Sequence, residues 1–385
     1  MFDNESLPAI REAIRAQTRS DGALLETLRS EIRPLAASVR AIRRRSTTAV
    51  SLVASDGGNN KLEFDPFLVQ LVRVVDSYGK ELFLDVISPS TDTDALSDRQ
   101  FQGDGSPKTP LGLLMHDLGI DRLYHLSGAI PTGHQIRTQP DQVKPGWVLT
   151  YRDLCEWAVL YERIRATRFA TDTLIVRDGF LRSKVFKSDL FMQMGALIEE
   201  AIERIYHDDR LRIFLVGLAK HSQVLTRYRL AMALEGTLPP GEPRFLRIPR
   251  ELEAKAYRWS EYARGGGETG EGGEEAKFVL GSMYFVRFGG MSADPIWAID
   301  LLTSQTASEA EIFGYLLADA IDGFPVPYYP ACLQRAHEHA EVVDFDLEIL
   351  QDEVFGAVRE LLPGDKQSVI DALRLGTDVA ARRYG

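Results

Sequence analysis

The chain has 385 residues, 44% hydrophobic and 26% charged, with a net charge of −11. That balance belongs to a globular protein with room for one large core or two smaller ones, and it argues against one that coats nucleic acid by bulk positive charge. No apolar run is long enough to span a bilayer, and the two cysteines, Cys155 and Cys332, stand far apart without a metal-ligand pattern. The opening MFDNESLPAIREAIR lacks an apolar signal core, so a reduced, cytoplasmic protein with no membrane association is expected.

Residues 8–45 read as mostly helix. Leu25, Leu28, Ile32, Leu35, Val39 and Ile42 step by three and four, which is the spacing of an a/d seam. Pro34 lies inside the seam and is expected to kink or break it. Arg29, Arg33, Arg40, Arg43, Arg44 and Arg45 occupy much of the remaining surface. Two readings stand side by side: an amphipathic helix packed on its own domain, or a segment that docks a second copy or a partner.

The next stretch, TTAVSLVASDGGNN from Thr47 to Asn60, reads as a buried strand that ends on Asp56, with a turn at Gly57-Gly58. By itself Asp-Gly is ordinary turn chemistry. Phe67 to Val75 and Glu81 to Ile87 add two strands, and the three together predict an antiparallel meander. Residues 88–149, rich in Ser, Asp, Gly, Pro and Thr, read as a long irregular insertion whose His116, His125 and His134 lack ligand spacing.

A helix is predicted over 150–168, with Thr150 as its cap. A short buried strand, Thr173 to Arg177, runs into Asp178-Gly179-Phe180-Leu181. A helix from Asp189 to Tyr206, a strand from Leu211 to Gly217 leading to Lys220, and a helix from Gln223 to Ala233 follow. Another helix is read over 249–262, then a flexible Gly/Glu loop over 264–276. Phe278 to Phe288 and Pro295 to Leu302 predict a hairpin around Gly289-Gly290. The rest, from Ala307, is helical, broken at Phe324 to Pro330.

Two strands that each reach Asp-Gly, with a carboxylate-bearing helix just before the second, are more informative than either alone. If neighbouring strands set Asp56 beside Asp178, the two charges repel unless a cation or proton lies between them. Mg²⁺ or Mn²⁺ suits such oxygen ligands, and metal-assisted phosphoryl chemistry uses this design. Asp153, Glu156 and Glu162 are candidates for a third carboxylate; Glu156 and Glu162, six residues apart, point to different faces of one helix. Lys220, after a buried strand, reads either as a surface lysine at a strand end or as a cation near a scissile phosphate. Tyr329 and His337 lie eight residues apart across Pro330 and the start of a helix.

Four ordered blocks carry a family resemblance: AVSLVASDGG around Asp56, TLIVRDGFL around Asp178, IFLVGLAKHS around Lys220, and YPACLQRAHEHAEVV from Tyr329 to Val343. The chain resembles NurA nucleases over about residues 47–345. The resemblance implies a ribonuclease H-like α/β fold, a mixed sheet flanked by helices with an N-terminal helical segment. It divides the chain into a dimer- or partner-docking segment (1–46), a nuclease domain (47–345) and C-terminal helices (346–385).

It further implies a Mn²⁺- or Mg²⁺-dependent DNA nuclease that forms a homodimer. Such proteins work with a HerA-like hexameric ATPase, in DNA end processing or in defence against phage. The metal ligands would be Asp56, Glu156, which follows Arg152 in an R-x-x-x-E pattern, Asp178 and His337; Glu162 is the alternative to Glu156. Lys220 would stabilise phosphate charge or orient a carboxylate. Tyr329 would position the strand by stacking or hydrogen bonding, and His337 would shuttle a proton or act as an outer ligand.

The chain departs from the family's pattern at three places. Gly58 and Phe180 stand where serines are usual, and Ala298-Ile299-Asp300 stands for an Arg-Ile-Glu-like stretch. These departures motivate a second expectation, a weakened subunit that binds the ATPase as an adaptor. A nucleotidyl-transfer or ATP-hydrolysing enzyme is disfavoured, because there is no phosphate-cradling glycine loop followed by Lys-Ser or Lys-Thr.

Overall fold

The computed structural model describes residues 6–46, 50–64, 67–257, 278–341 and 344–364. The expected loop over 264–276, the end of the helix expected to reach 262, and the chain after 364 lie outside the described residues. Two compact units emerge: Met1–Ser55 with Leu160–Arg335, and Asp56–Val159 with Ala336–Gly385.

Helices α1 (Ser6–Ser20) and α2 (Gly22–Ile32) open the first unit. Pro34 then converts Arg33–Ser38 to a 3-10 turn, Val39 is extended, and strand β1 (Arg40–Ala41) follows. The seam therefore ends as helix at Ile32 instead of running on to Ile42, because the proline ring clashes with the preceding turn and its nitrogen has no hydrogen to donate. Leu28, Ile32 and Leu35 pack on Tyr228, Leu252 and Phe285 in this unit's own core. Arg29 and Arg33 are used within the unit, both pairing with Glu235. Helix α1 has no buried residue.

Strand β2 (Ser51–Phe64) corrects the expectation of a turn after Asp56: it runs straight through Asp56-Gly57-Gly58 for 14 residues. Gly57 makes this possible in a crowded place, since a Cβ there would collide with Glu156 Oε1. Chemistry that favours a turn has yielded to ladder pairing and close packing. The chain enters the second unit within this strand.

In the second unit β2, β3 (Phe67–Asp76) and β4 (Glu81–Ile87) are successive neighbours, in the order expected of a meander. β3 and β4 are antiparallel, with Val72 opposite Asp85, and Gly79 takes φ +78° in their turn. Residues 88–149 are not irregular. They form helices α3 (Thr93–Asp98), α4 (Pro110–Asp117), α5 (Leu123–Leu126) and α6 (Gly133–Thr138). Three of their start signals are strong. Asp92 accepts from Asp94 N, Thr109 caps a helix that begins at Pro110, and Thr132 with Gln135 makes a capping box. His116 and His125 pair with the nearby Asp117 and Asp121 on these helices, as surface residues do.

Helix α7 (Trp147–Ala166) begins three residues ahead of Thr150, so that threonine lies within the helix and does not cap it. The chain returns to the first unit within α7. β5 (Thr173–Asp178), α8 (Leu190–Asp209), β6 (Ile213–Ala219) and α9 (Gln223–Glu235) alternate as expected. Ser222 caps α9 by accepting from Leu225 N, and Gly236 at φ +59° ends it. β7 (Arg244–Arg247), α10 (Arg250–Ala256), β8 (Gly281–Arg287), β9 (Ile296–Leu302) and α11 (Glu309–Ala320) complete this unit's regular elements. The β8–β9 hairpin pairs as expected, with Tyr284 opposite Ile299. Helix α12 (Ala331–Ala340) leads back to the second unit, where α13 (Asp344–Leu361) follows.

The fold is α/β, a mixed sheet flanked by helices. In the first unit the strand order is β1-β7-β8-β9-β6-β5-β2. β2, β5 and β6 are parallel, and β9 joins β6 antiparallel. Every residue of β6 and β8 is buried. Strands covered on both faces read as continuous apolar runs, and IFLVGLA is of that kind. No described helix is long and apolar enough to cross a membrane.

Candidate active site

In the second unit, residues from three distant parts of the chain converge. Both oxygens of Asp56 are engaged: Oδ1 accepts from the Gly57 backbone N–H at 2.8 Å, and Oδ2 accepts from His337 Nδ1 at 2.8 Å. The aspartate side chain is largely covered, at 13% exposure, whereas His337 is half exposed at 49%. Glu156 on α7 packs over Gly57 and pairs with Arg152 one turn earlier, Oε1 to Nε at 3.2 Å. Of the three helix carboxylates weighed from sequence, Glu156 is the one that reaches the Asp56-Gly57 backbone. Glu162 lies on the part of α7 that belongs to the first unit.

The helix that carries His337 is tied down by a residue the sequence did not flag. Arg73 on β3 donates from Nη1 to the carbonyl of His339, in the last turn of α12, at 2.8 Å. An arginine on the free carbonyls of a helix end both satisfies them and complements the negative end of the helix dipole. Glu81 steadies Arg73 from β4 at 3.1 Å. Nothing local in the sequence marks Arg73, since its partner is 266 positions away.

In the first unit, Asp178, Lys220 and Tyr329 come together. Asp178 ends β5, and Lys220 directly follows β6, the parallel neighbour in which Leu218 is paired with Asp178. Both side chains therefore leave the sheet at the carboxyl ends of parallel strands, where α/β folds gather their functional groups. Lys220 Nζ lies 2.8 Å from Asp178 Oδ2. It also stands 5.7 Å from the centre of the Tyr329 ring, in cation–π position. Tyr329 is buried at 2% and packs against Trp297, ring centres 5.2 Å apart. Of the two roles expected for Tyr329, stacking and hydrogen bonding, a ring this covered leaves no open face for stacking on a base. Asp300, singled out as a departure, is fully buried and bound by both arms of Arg182, each at 2.7 Å.

Each of the three carboxylates expected to bind metal has a basic side chain beside it: His337 at Asp56, Arg152 at Glu156, Lys220 at Asp178. Among the described residues, no three His, Cys, Asp or Glu side chains stand together at metal-holding spacing. The donor chemistry nevertheless fits a hard divalent cation, with carboxylate oxygens first and an imidazole beside them.

These features define an α/β protein with two acid–base clusters built at strand ends and on helix faces. No family model and no curated protein matches the chain. Among solved structures, the chain is similar to the NurA nuclease from Sulfolobus solfataricus, at 13% identity and a TM-score of 0.44, covering 94% of this chain and 99% of that one. It is also similar to NurA with manganese, at 11% identity and a TM-score of 0.42, over 91% of this chain and 99% of that one. A third is NurA bound to dAMP and manganese, at 13% identity and a TM-score of 0.38, over 96% and 100%.

Proposed function

We propose that this protein is a metal-dependent DNA nuclease that hydrolyses phosphodiester bonds. The observation that carries the reading is the meeting of Asp56, His337 and Glu156 in one unit. These residues were singled out from sequence blocks separated by 281 positions at the extremes, and Asp56 and His337 now share a hydrogen bond. Asp56, Glu156 and His337 in the second unit, and Asp178 in the first, are the groups proposed as ligands for Mn²⁺ or Mg²⁺. A divalent cation bound there would supply charge neutralisation at the phosphate and Lewis acidity toward water.

The chain's own groups do the rest. Asp56 fixes the His337 ring through Nδ1, the arrangement that prepares an imidazole to move a proton through its other nitrogen. Lys220 orients Asp178 and brings positive charge to the phosphate. Tyr329 keeps Lys220 in place from below. The overall architecture is proposed to be of the ribonuclease H type, and the protein to be cytoplasmic.

The proposal extends to partners. A net charge of −11 suits a nuclease supplied with DNA by an active motor more than one that captures DNA by electrostatic attraction. We assign that motor to a HerA-like hexameric ATPase, in end processing or phage defence, and the protein itself to a homodimer. Helix α1, with no buried residue, is the part of the N-terminal segment left to contact another chain.

Purified protein incubated with linear single- and double-stranded DNA, in Mn²⁺ and in EDTA, tests the activity. Degradation that requires Mn²⁺ and disappears in Asp56→Ala is expected. No metal-dependent degradation, alone or with the ATPase, would leave the adaptor reading in its place.

A further inference from the structure

The turn that follows Asp178 is held with more charge than a turn requires. Gly179 takes φ +106°, a conformation side chains avoid, and donates its N–H to Leu218 O at 2.8 Å. Arg177, itself buried, folds under the turn and donates from Nη1 to the carbonyls of Asp178 and Phe180, both at 3.1 Å. On the other side the Leu181 N–H donates to Asp300 Oδ2 at 3.1 Å. Asp300 is locked in turn by the two arms of Arg182, which also reaches Glu253 at 2.5 Å; Arg250 donates to the same Glu253 at 2.8 Å. Gly217 on β6, paired with Asp300 on β9, lets the turn lie flat on the sheet. A Cβ at Gly217 would collide with Gly179 O and stand 2.8 Å from Leu181 N.

We propose that Arg177 and Asp300 are positioning residues for Asp178: the two buried charges brace its turn from opposite sides and so fix the direction of its carboxylate. This rests on Asp178 being a metal ligand. A buried ion pair is seldom the most stable filling for a core, since apolar residues of the same volume often do as well or better. What it supplies is direction, through hydrogen bonds that apolar groups cannot make. A ligand carboxylate needs such direction, because its oxygen must be placed within about 0.5 Å.

The test uses the full-length protein and Mn²⁺ alone as probe. Free Mn²⁺ is measured by electron paramagnetic resonance for wild type, Arg177→Met, Asp300→Asn, Gly217→Ala and Asp178→Asn, with melting in EDTA as the measure of fold. We expect variants that are folded at the assay temperature to bind Mn²⁺ at least about tenfold more weakly than wild type. In those variants kcat should fall more than KM rises. Wild-type Mn²⁺ affinity in any folded brace variant would overturn the positioning role while leaving the metal site standing. Wild-type affinity in Asp178→Asn, or no binding by wild type, would instead overturn the metal reading and the proposal with it. Three variants of different chemistry keep the test decisive if one of them does not fold.

Discussion

His337 Nδ1 donates to Asp56 Oδ2 at 2.8 Å, joining positions 281 residues apart. The pair is the centre of the second unit's cluster. Asp56→Ala should abolish Mn²⁺-dependent DNA degradation with the far-ultraviolet circular dichroism unchanged. His337→Ala should lower kcat by about 10²- to 10⁴-fold, the range usual for a lost proton-transfer group. Gel assays of labelled linear DNA read both; full activity in Asp56→Ala sinks the nuclease assignment.

Gly57 is the space in which Glu156 lies. Gly57→Ala places a methyl group against Glu156 Oε1 and displaces the carboxylate. Its loss of activity should approach that of Glu156→Gln, whereas Glu162→Gln should stay near wild type. Comparing kcat of the three variants identifies which glutamate serves the site.

Lys220 bridges Asp178 and the face of Tyr329. Lys220→Met should reduce kcat by about 10²- to 10³-fold, as loss of a preorganised charge near a reacting phosphate does. Tyr329→Leu removes only the ring beneath the ammonium and should cost about tenfold, in line with a cation–π contact of 1–2 kcal/mol. A Tyr329 variant that loses DNA affinity while keeping kcat would contradict its buried supporting role.

Both cysteines are fully buried thiols. Burial pushes the Cys155 thiol well above its ordinary value, with the charge of Asp85 adding to the effect. Cys332 is raised in the same way by burial and by Asp319. The folded protein should therefore react with a thiol reagent such as Ellman's only as fast as it unfolds. The linkage has a definite sign. Unfolded thiols ionise near their ordinary pKa while the folded ones hold their protons. This contribution to stability is present in full below pH about 8 and declines as the pH rises beyond the ordinary thiol value. Urea melts between pH 7 and 10, compared with a Cys155→Ala variant, measure it.

Phe285 is fully buried on β8 among Tyr228, Leu252 and Ile32. Phe285→Ala should cost about 3–5 kcal/mol of unfolding free energy by urea denaturation. Leu24→Ala, at a position 52% exposed, should cost little.

The elements most legible from sequence were those whose neighbours are close in the chain. Leu174 to Val176 and Ile213 to Ala219 are unbroken apolar runs, and such runs belong to central strands. Ser222 before α9 and Gly236 after it bound that helix by local hydrogen bonds alone. Misreadings occurred where a distant neighbour overruled a local preference. Asp56-Gly57-Gly58 has turn chemistry, yet the strand continues because adjacent backbone and Glu156 occupy the space a turn would need. The heptad spacing continues past Pro34, but the helix cannot, and Val39 and Ile42 flank the short strand β1 instead. In residues 88–149 the caps at Asp92, Thr109 and Thr132 were present, though the polar composition concealed four short helices.

The sequence by itself determined which side chains are candidates for chemistry: the aspartates on two apolar strands, the lysine after a third, the tyrosine and histidine around Pro330. Residue type and strand-end position are local properties, and local properties survive in one dimension. Tertiary structure alone decided their partners. It laid Glu156 against Gly57, gave Asp56 to His337 and Asp178 to Lys220, buried Tyr329, and brought in Arg73, Arg177 and Arg182. Hydrogen bonds act over about 3 Å of space, and nothing in the order of residues along a chain encodes which distant groups will come that close.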